Sequence, residues 1–339
     1  MILATLAPSK STLHNRTQMK AIAQSEYGSP DVLKLTTVDR PALSDQGMLI
    51  KVYGTSIHAG IWHMMRGTPF LIRLIFGGLF KPKYPILGND IAGRVEAVGK
   101  DVTQFQSGDE VFGELSESGF GAFAEYVCVP ETALALKPKS LTFEDAATVP
   151  TSALAALQAL RDLGQLQPGQ GVLVNGASGG VGSFAVQIAK ALGAEVTAAC
   201  RAEKTDRVRS LGADHVIDST QADIPQQSYD LIVDAAAYRP VTDFLPALTP
   251  EGTYVMVGGS TPRFFQAMLF GRWLTRNTAQ TVKCLESKPN QADLNTLKEM
   301  IETDQLKPVI DRTYSLEEVP EAIRYLEGRQ VKGKVAIRI

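Results

Sequence analysis

Val172-Leu173-Val174-Asn175-Gly176-Ala177-Ser178-Gly179-Gly180-Val181-Gly182 runs directly into Ser183-Phe184-Ala185-Val186-Gln187-Ile188-Ala189-Lys190. The apolar triplet reads as a buried strand, the glycines as a turn, and the amphipathic run after them as a helix. In that setting spaced glycines bind a dinucleotide. Gly176 allows the tight turn, Gly179 lets the backbone approach a pyrophosphate, and Gly182 lets helix and strand pack closely. The helix N-terminus offers unpaired N–H groups and a positive dipole end. Gly176, Ala177, Ser178, Gly179, Gly180 and Val181 are the candidate cofactor-binding residues. An ordinary structural turn is the competing reading.

Outward from this turn the pattern is α/β from about Thr142 onward. It predicts a helix over Phe143–Leu163 broken at Pro150, then strand 172–174, helix 182–192, strand Glu195–Ala199 and helix Lys204–Leu211. Strands His215–Ile217, Asp230–Asp234 and Thr253–Val257 follow, with a helix near Val241–Leu248. Alternating strands and helices imply parallel pairing with right-handed crossovers. Helices over Ala292–Thr303 and Leu316–Glu327 and a last strand Val335–Ile339 complete the tail. Before Thr142 the reading is mostly short strands: Lys20–Gln24, Val32–Val38, Leu49–Ser56, Ile91–Val98, Glu110–Gly113, Ala122–Val129 and Leu134–Leu136. Gly and Pro punctuate them, as in a barrel-like β domain.

The 339 residues suffice for roughly two domains. A net charge of -2 offers no electrostatic case for nucleic acid. Cys128, Cys200 and Cys284 form neither a CxxC pair nor a disulfide framework, as suits a reducing compartment. The cytoplasm is the expected location. Residues 1–18 carry Lys10, His14 and Arg16 without an acid, so they read as an unanchored leader or as an organelle transit segment. No apolar run reaches the roughly 18 residues a membrane span needs. Two stretches are apolar, cationic and acid-free: residues 69–83 and 262–276. The first reads as a simple core helix, a greasy pocket wall, a partner interface or a peripheral membrane contact.

Several ordered motifs then carry a resemblance: Gly88-Asn89-Asp90-Ile91-Ala92-Gly93 through Gly99, Gly108-Asp109-Glu110-Val111-Phe112-Gly113, Gly119–Val127, Asn175–Gly182, Leu211-Gly212-Ala213-Asp214 and Gly333-Lys334-Val335. Over about residues 19–339 the chain resembles the medium-chain dehydrogenases/reductases, and more narrowly their zinc-independent quinone oxidoreductase and enone reductase branch. The resemblance implies a GroES-like, β-rich catalytic domain of residues 19–141 plus 285–339. A Rossmann doubly wound parallel sheet, residues 142–284, is inserted in it. It also implies a cofactor in the cleft between the two, and a homodimer.

An NAD site usually carries an acid about 20 residues past the glycine turn. Here the second strand ends Cys200-Arg201-Ala202-Glu203-Lys204. Arg201 and Lys204 suit the 2′-phosphate of NADP(H), preferred over NAD(H), with Glu203 as the dissenting residue. Lys204 and Arg329 also match phosphate-binding positions of bacterial relatives. Gly258 lies just past a strand end, at the cofactor edge of the sheet. Zinc alcohol dehydrogenases place a Cys where this chain has His58, and Gly-His-Glu where it has Gly88-Asn89-Asp90. Asn is a poor zinc ligand, so no metal is expected.

His58 and His63 lie in the family's nicotinamide-facing loop and are the candidate catalytic residues. His58 reads either as a proton or hydrogen-bond donor or as a cofactor contact, and His63 as a donor or as packing beside Trp62. The implied activity is hydride delivery from NADPH to a quinone or an α,β-unsaturated carbonyl, with an apolar substrate. An alcohol or aldehyde dehydrogenase of the same fold, and a cofactor-binding protein with little turnover, are the competing readings.

Overall fold

The glycine turn joins a strand and a helix of a six-stranded sheet in the computed structural model, which describes residues 17–75, 78–220, 224–259 and 261–339. Of the leader expected over residues 1–18, residues 1–16 lie outside the described residues, and Gln18 already opens β1. The strands of this sheet are β8 (Gly171–Asn175), β9 (Glu195–Cys200), β10 (His215–Asp218), β11 (Tyr229–Asp234), β12 (Leu248–Met256) and β13 (Thr281–Cys284). All pairings are parallel, in the order β10-β9-β8-β11-β12-β13. This is the doubly wound order of dinucleotide-binding sheets, and it reverses between β8 and β11, where such folds bind their ligands.

The second sheet draws on both ends of the chain. Its strands are β3 (Gly47–Ile57), β4 (Asp90–Val98), β5 (Glu110–Glu114), β6 (Tyr126–Pro130), β7 (Leu134–Leu136), β14 (Ile310–Ser315) and β15 (Lys334–Arg338). They are ordered β14-β15-β3-β4-β5-β7, with β6 on β3. β1 (Gln18–Ala23) and β2 (Lys34–Asp39) form a separate hairpin. Alternate residues of β3, β4 and β5, among them Met48, Ile50, Val52, Ile91, Val95 and Val111, fill one core.

Helices α1 (Ala59–Arg66), α2 (Phe70–Ile75), α3 (Phe143–Ala147), α4 (Pro150–Gln158), α5 (Gly180–Ala191), α6 (Thr205–Arg209), α7 (Thr261–Leu274), α8 (Gln291–Glu302) and α9 (Val319–Glu327) connect and cover the sheets. Thr142 caps α3 by accepting from the Asp145 N–H. Pro150 opens α4 at its first position, so the expected break falls between two helices. Leu294, Leu297 and Ile301 of α8 share a core with α4 and α5.

Several expectations are corrected. The helix expected near Val241–Leu248 is two short turns, Val241–Asp243 and Leu245–Ala247, because Pro246 cannot donate an amide to a longer helix. The stretch 69–83 is no core helix: α2 is short, and Phe70, Leu71, Leu74, Leu79 and Phe80 are exposed. Strands β13 and β14 and helices α1 and α7 were not anticipated. Among the described residues no helix is long and apolar enough to cross a membrane.

Candidate active site and cofactor cleft

The turn after β8 is shaped by close approach of backbone. Gly176 has φ +80°, and a Cβ there would lie 2.9 Å from that of Ala236. A Cβ on Gly182 would lie 2.1 Å from the Gly176 carbonyl oxygen, so only glycine lets α5 start this close to the turn. Gly179 differs, since among the described residues, its chain neighbours aside, only the Gly176 oxygen, at 3.3 Å, comes within 4 Å of a Cβ there. That open side, at the N-terminus of α5, is the shape a pyrophosphate needs. Ala177 is fully buried, with its N–H on the Ala199 carbonyl at 3.1 Å. Ser178, Gly179, Gly180 and Val181 remain partly open. Gly258 is similarly unobstructed, with the Ala235 oxygen 3.7 Å from a Cβ position.

A buried carboxylate organises this edge of the sheet. Asp234, at the end of β11, accepts from Asn175 Nδ2 at 2.7 Å, from the Ala236 and Ala237 amides at 3.1 and 2.7 Å, and from the Tyr254 hydroxyl at 2.5 Å. It ties the turns after β8 and β11 together. Burial pushes its carboxyl up, and these hydrogen bonds oppose the shift.

Arg201 follows β9 and is exposed, whereas Lys204 is buried and donates to the Val331 carbonyl at 3.0 Å. Burial pulls the Lys204 ammonium down, and the positive charges of Arg201 and Lys332 add to that. The Glu203 and Asp311 carboxylates oppose that pull, so the spot holds charges of both signs. Lys332 comes from the opposite end of the chain and was not expected here. Arg207 anchors its segment by donating to the Lys332 and Ile310 carbonyls at 2.7 and 3.4 Å. Arg329, at φ +55°, lies over the Tyr238 ring at 4.7 Å, beside the turn after β11.

Between the two sheets runs a continuous polar network. His58 caps α1, its Nδ1 accepting from the Gly60 N–H at 3.1 Å. The proton of the neutral ring therefore sits on Nε2, which donates to Asn89 Oδ1 at 2.7 Å. Asn89 Nδ2 donates to Glu114 Oε1 and to Thr151 Oγ1, the latter at 3.0 Å. The Thr151 hydroxyl and N–H both donate to Asp90 Oδ1, at 2.6 and 2.9 Å. Ser56 donates to Asp90 Oδ2 at 2.6 Å. Lys334, buried like Asp90, stands 3.7 Å from that oxygen and donates to Ser152 at 3.0 Å. Its stem lies 3.1 Å from a Cβ position on Gly180, so the network reaches the start of α5.

Burial sets the charge states. It holds the His58 imidazolium below the usual histidine range, against the attraction of Asp90. It pulls Lys334 down, again opposed by Asp90. It pushes Glu114 up to about 7, a shift to which the Asp90 charge adds and which the Asn89 and Ser116 hydrogen bonds oppose. His63 stands apart from this network: its Nδ1 donates to the Thr68 carbonyl at 2.9 Å, and its ring lies 4.4 Å from that of Trp62. Of the two histidines, only His58 is tied to Asn89.

Where the resembled zinc enzymes hold their metal, the facing donors are an imidazole whose Nδ1 is already engaged and a neutral amide. That set does not fit a zinc ion. Among the described residues no group of three His, Cys, Asp or Glu side chains is placed to hold a metal.

Residues 44–139 match the model of the alcohol dehydrogenase GroES-like domain, and residues 211–337 that of the zinc-binding dehydrogenase family. The chain is 31% identical to a 2-methylene-furan-3-one reductase of Solanum lycopersicum, over 98% of this chain and 82% of that protein. It is 32% identical to a chloroplastic NADPH-dependent alkenal/one oxidoreductase of Arabidopsis thaliana, over 94% of this chain and 79% of the other. The quinone oxidoreductase from Coxiella burnetii superposes with a TM-score of 0.84 at 28% identity, covering 95% of this chain and 99% of its own. With a two-sheet architecture built from both chain ends and near-full-length likeness to such reductases, the chain belongs to the medium-chain dehydrogenase/reductase superfamily.

Proposed function

We propose that this protein is an NADPH-dependent, zinc-independent reductase of quinones and α,β-unsaturated carbonyls. The observation that carries the reading is the fully engaged His58–Asn89 pair, standing where zinc relatives coordinate their metal and joined through Thr151, Asp90 and Lys334 to the start of α5. The names of similar reductases point the same way.

When bound, the reduced dinucleotide supplies the hydride. The chain supplies placement. Ser178 to Val181 and the start of α5 would hold the pyrophosphate, and Arg201, Lys204 and Lys332 would hold the 2′-phosphate. The Asp90–Thr151–Lys334 network joins β4, α4 and β15, and so sets the spacing of the two halves of the cleft. For an enone, hydride reaches the β-carbon and a proton from water completes the saturated ketone. For a quinone, hydride and a proton give the hydroquinone.

His58 is a positioning residue in this scheme, because its proton already goes to Asn89. Replacing it as His58→Gln is expected to lower kcat by less than about tenfold, with the pH profile unchanged. A general acid would cost roughly a hundredfold or more, and a loss of that size with an altered profile would reassign the proton to His58. A panel of enones, quinones and aldehydes, assayed with NADPH before and after chelator treatment, tests the function itself. Alcohols as the sole products, or activity that chelation removes and zinc restores, would replace it by a zinc dehydrogenase.

A further inference from the structure

Helix α7 inverts the usual arrangement of a surface helix. Ala267, Gly271 and Thr275, spaced four apart, are the buried face. Gly271 lies against β13, where a Cβ would come within 2.8 Å of Val282. The large apolar side chains point the other way: Met268, Leu269, Phe270 and Trp273 are all more than half exposed. A helix on a protein surface ordinarily puts its small or polar residues outside, and a contiguous apolar patch marks an interaction site.

The charges around it decide the partner. The sequence contains no Asp or Glu from Gly252 to Leu285, although the whole chain has 36 acids. The same window holds Arg263, Arg272, Arg276 and Lys283. Arg272 and Arg276 are exposed beside the apolar face, and the Arg276 guanidinium lies 5.0 Å from the centre of the Trp273 ring. A second copy meeting this face by two-fold symmetry would set arginines against arginines, which disfavours that occupant. An anionic bilayer matches all three features: apolar side chains for the acyl boundary, a tryptophan for the interface, and arginines for the headgroup phosphates. At 14 residues α7 is too short to span, so it lies along the surface.

We propose that α7 docks this protein, through Met268, Leu269, Phe270, Trp273 and the flanking Arg272 and Arg276, onto the surface of an anionic lipid bilayer. The docking is separate from the reaction and needs no turnover to be observed.

The test is co-sedimentation of the full chain with vesicles of phosphatidylcholine, alone or with an equal part of phosphatidylglycerol. A Trp62→Phe background leaves Trp273 as the sole tryptophan, and its emission is followed in parallel. Binding to the anionic vesicles with a blue shift is expected, weakening as salt is raised. Leu269→Ser with Phe270→Ser should lower the partition constant at least about tenfold, and Arg272→Glu with Arg276→Glu should remove the preference for anionic lipid. Unchanged NADPH affinity shows that the variants are folded. The proposal is overturned if the protein stays in the supernatant at low salt, or if both vesicle types bind it equally. It is also overturned if Leu79→Ser with Phe80→Ser removes binding while the α7 variants do not, or if Trp273 proves to be buried in a dimer that ignores vesicles.

Discussion

Glu114 shows how a single buried group tunes the cleft. Its carboxyl titrates at about 7 in the folded protein against an ordinary 4.5, chiefly because it is buried. Between those values the folded state holds a proton that the unfolded chain releases. The stability contribution is therefore full below about pH 4.5 and is lost as pH rises toward 7. Glu114→Gln should abolish that slope, leaving the variant more stable than wild type at pH 8 by on the order of 3 kcal/mol. Urea denaturation of both proteins at pH 5 and pH 8 measures it, and equal slopes would show that Glu114 does not carry the effect. In the proposed function, Arg201 is the residue that selects NADPH over NADH. Arg201→Ala should raise the Kd for NADPH about tenfold while leaving NADH within about twofold, since one charge-assisted contact to phosphate is removed. Fluorescence titration reads both, and an equal loss for the two cofactors would dissociate Arg201 from the 2′-phosphate. Arg201 and Lys204 drew the cofactor reading in the sequence because they stand a fixed distance past the glycine turn. Asp234, Glu114 and Lys334 were not: Asn175 meets Asp234 across 59 residues, and Ser152 meets Lys334 across 182. No local pattern announces a buried hydrogen bond between distant strands.

At the scale of elements, the start of α5 and the turn before it are one unit. Gly182→Ala puts a methyl 2.1 Å from a backbone oxygen that cannot swing aside, so α5 must move off β8. A loss of more than about 2 kcal/mol in stability, together with most of the dinucleotide affinity, is expected. Gly108→Ala is the contrast. Among the described residues, its chain neighbours aside, nothing lies within 4 Å of its Cβ position and only its φ of +98° is strained, so about 1 kcal/mol and unchanged cofactor binding are expected. Thermal denaturation with NADPH titration compares the two variants, and equal cofactor affinity would contradict a close-packed turn. Most elements announced themselves through period and punctuation, as β7 did over Leu134–Leu136 and α8 over Ala292–Thr303. Helix α1 did not, because its N-cap is a histidine rather than Ser, Thr, Asp or Asn. Strand β14 hid because Ile310–Ser315 mixes charged and aromatic residues at a sheet edge, without clean alternation. Helix α7 was visible only as an apolar, basic stretch, since its small residues are the ones that pack inward.

The two larger sheets hold a cleft, and β15 returns to β3 and carries Lys334 back toward the glycine turn. The α/β alternation after Thr142 was enough to foresee the parallel sheet, and the ordered glycine motifs to foresee the partner domain. The approach of Lys332 to Lys204 and of Lys334 to the start of α5 was not visible, because it depends on how the two sheets meet rather than on any local sequence; Arg329 was expected at the cofactor only through the resemblance. The central claim is that this cleft passes hydride from NADPH to an electron-poor carbon without a metal. The most direct measurement uses chelator-treated protein, NADPH deuterated at the transferable C4 position, and an α,β-unsaturated ketone, with the product examined by NMR. Deuterium at the β-carbon of the saturated ketone, formed at the rate of untreated protein, is the predicted result. Deuterium at the carbonyl carbon of an alcohol, or turnover that returns only when zinc is added, would contradict it.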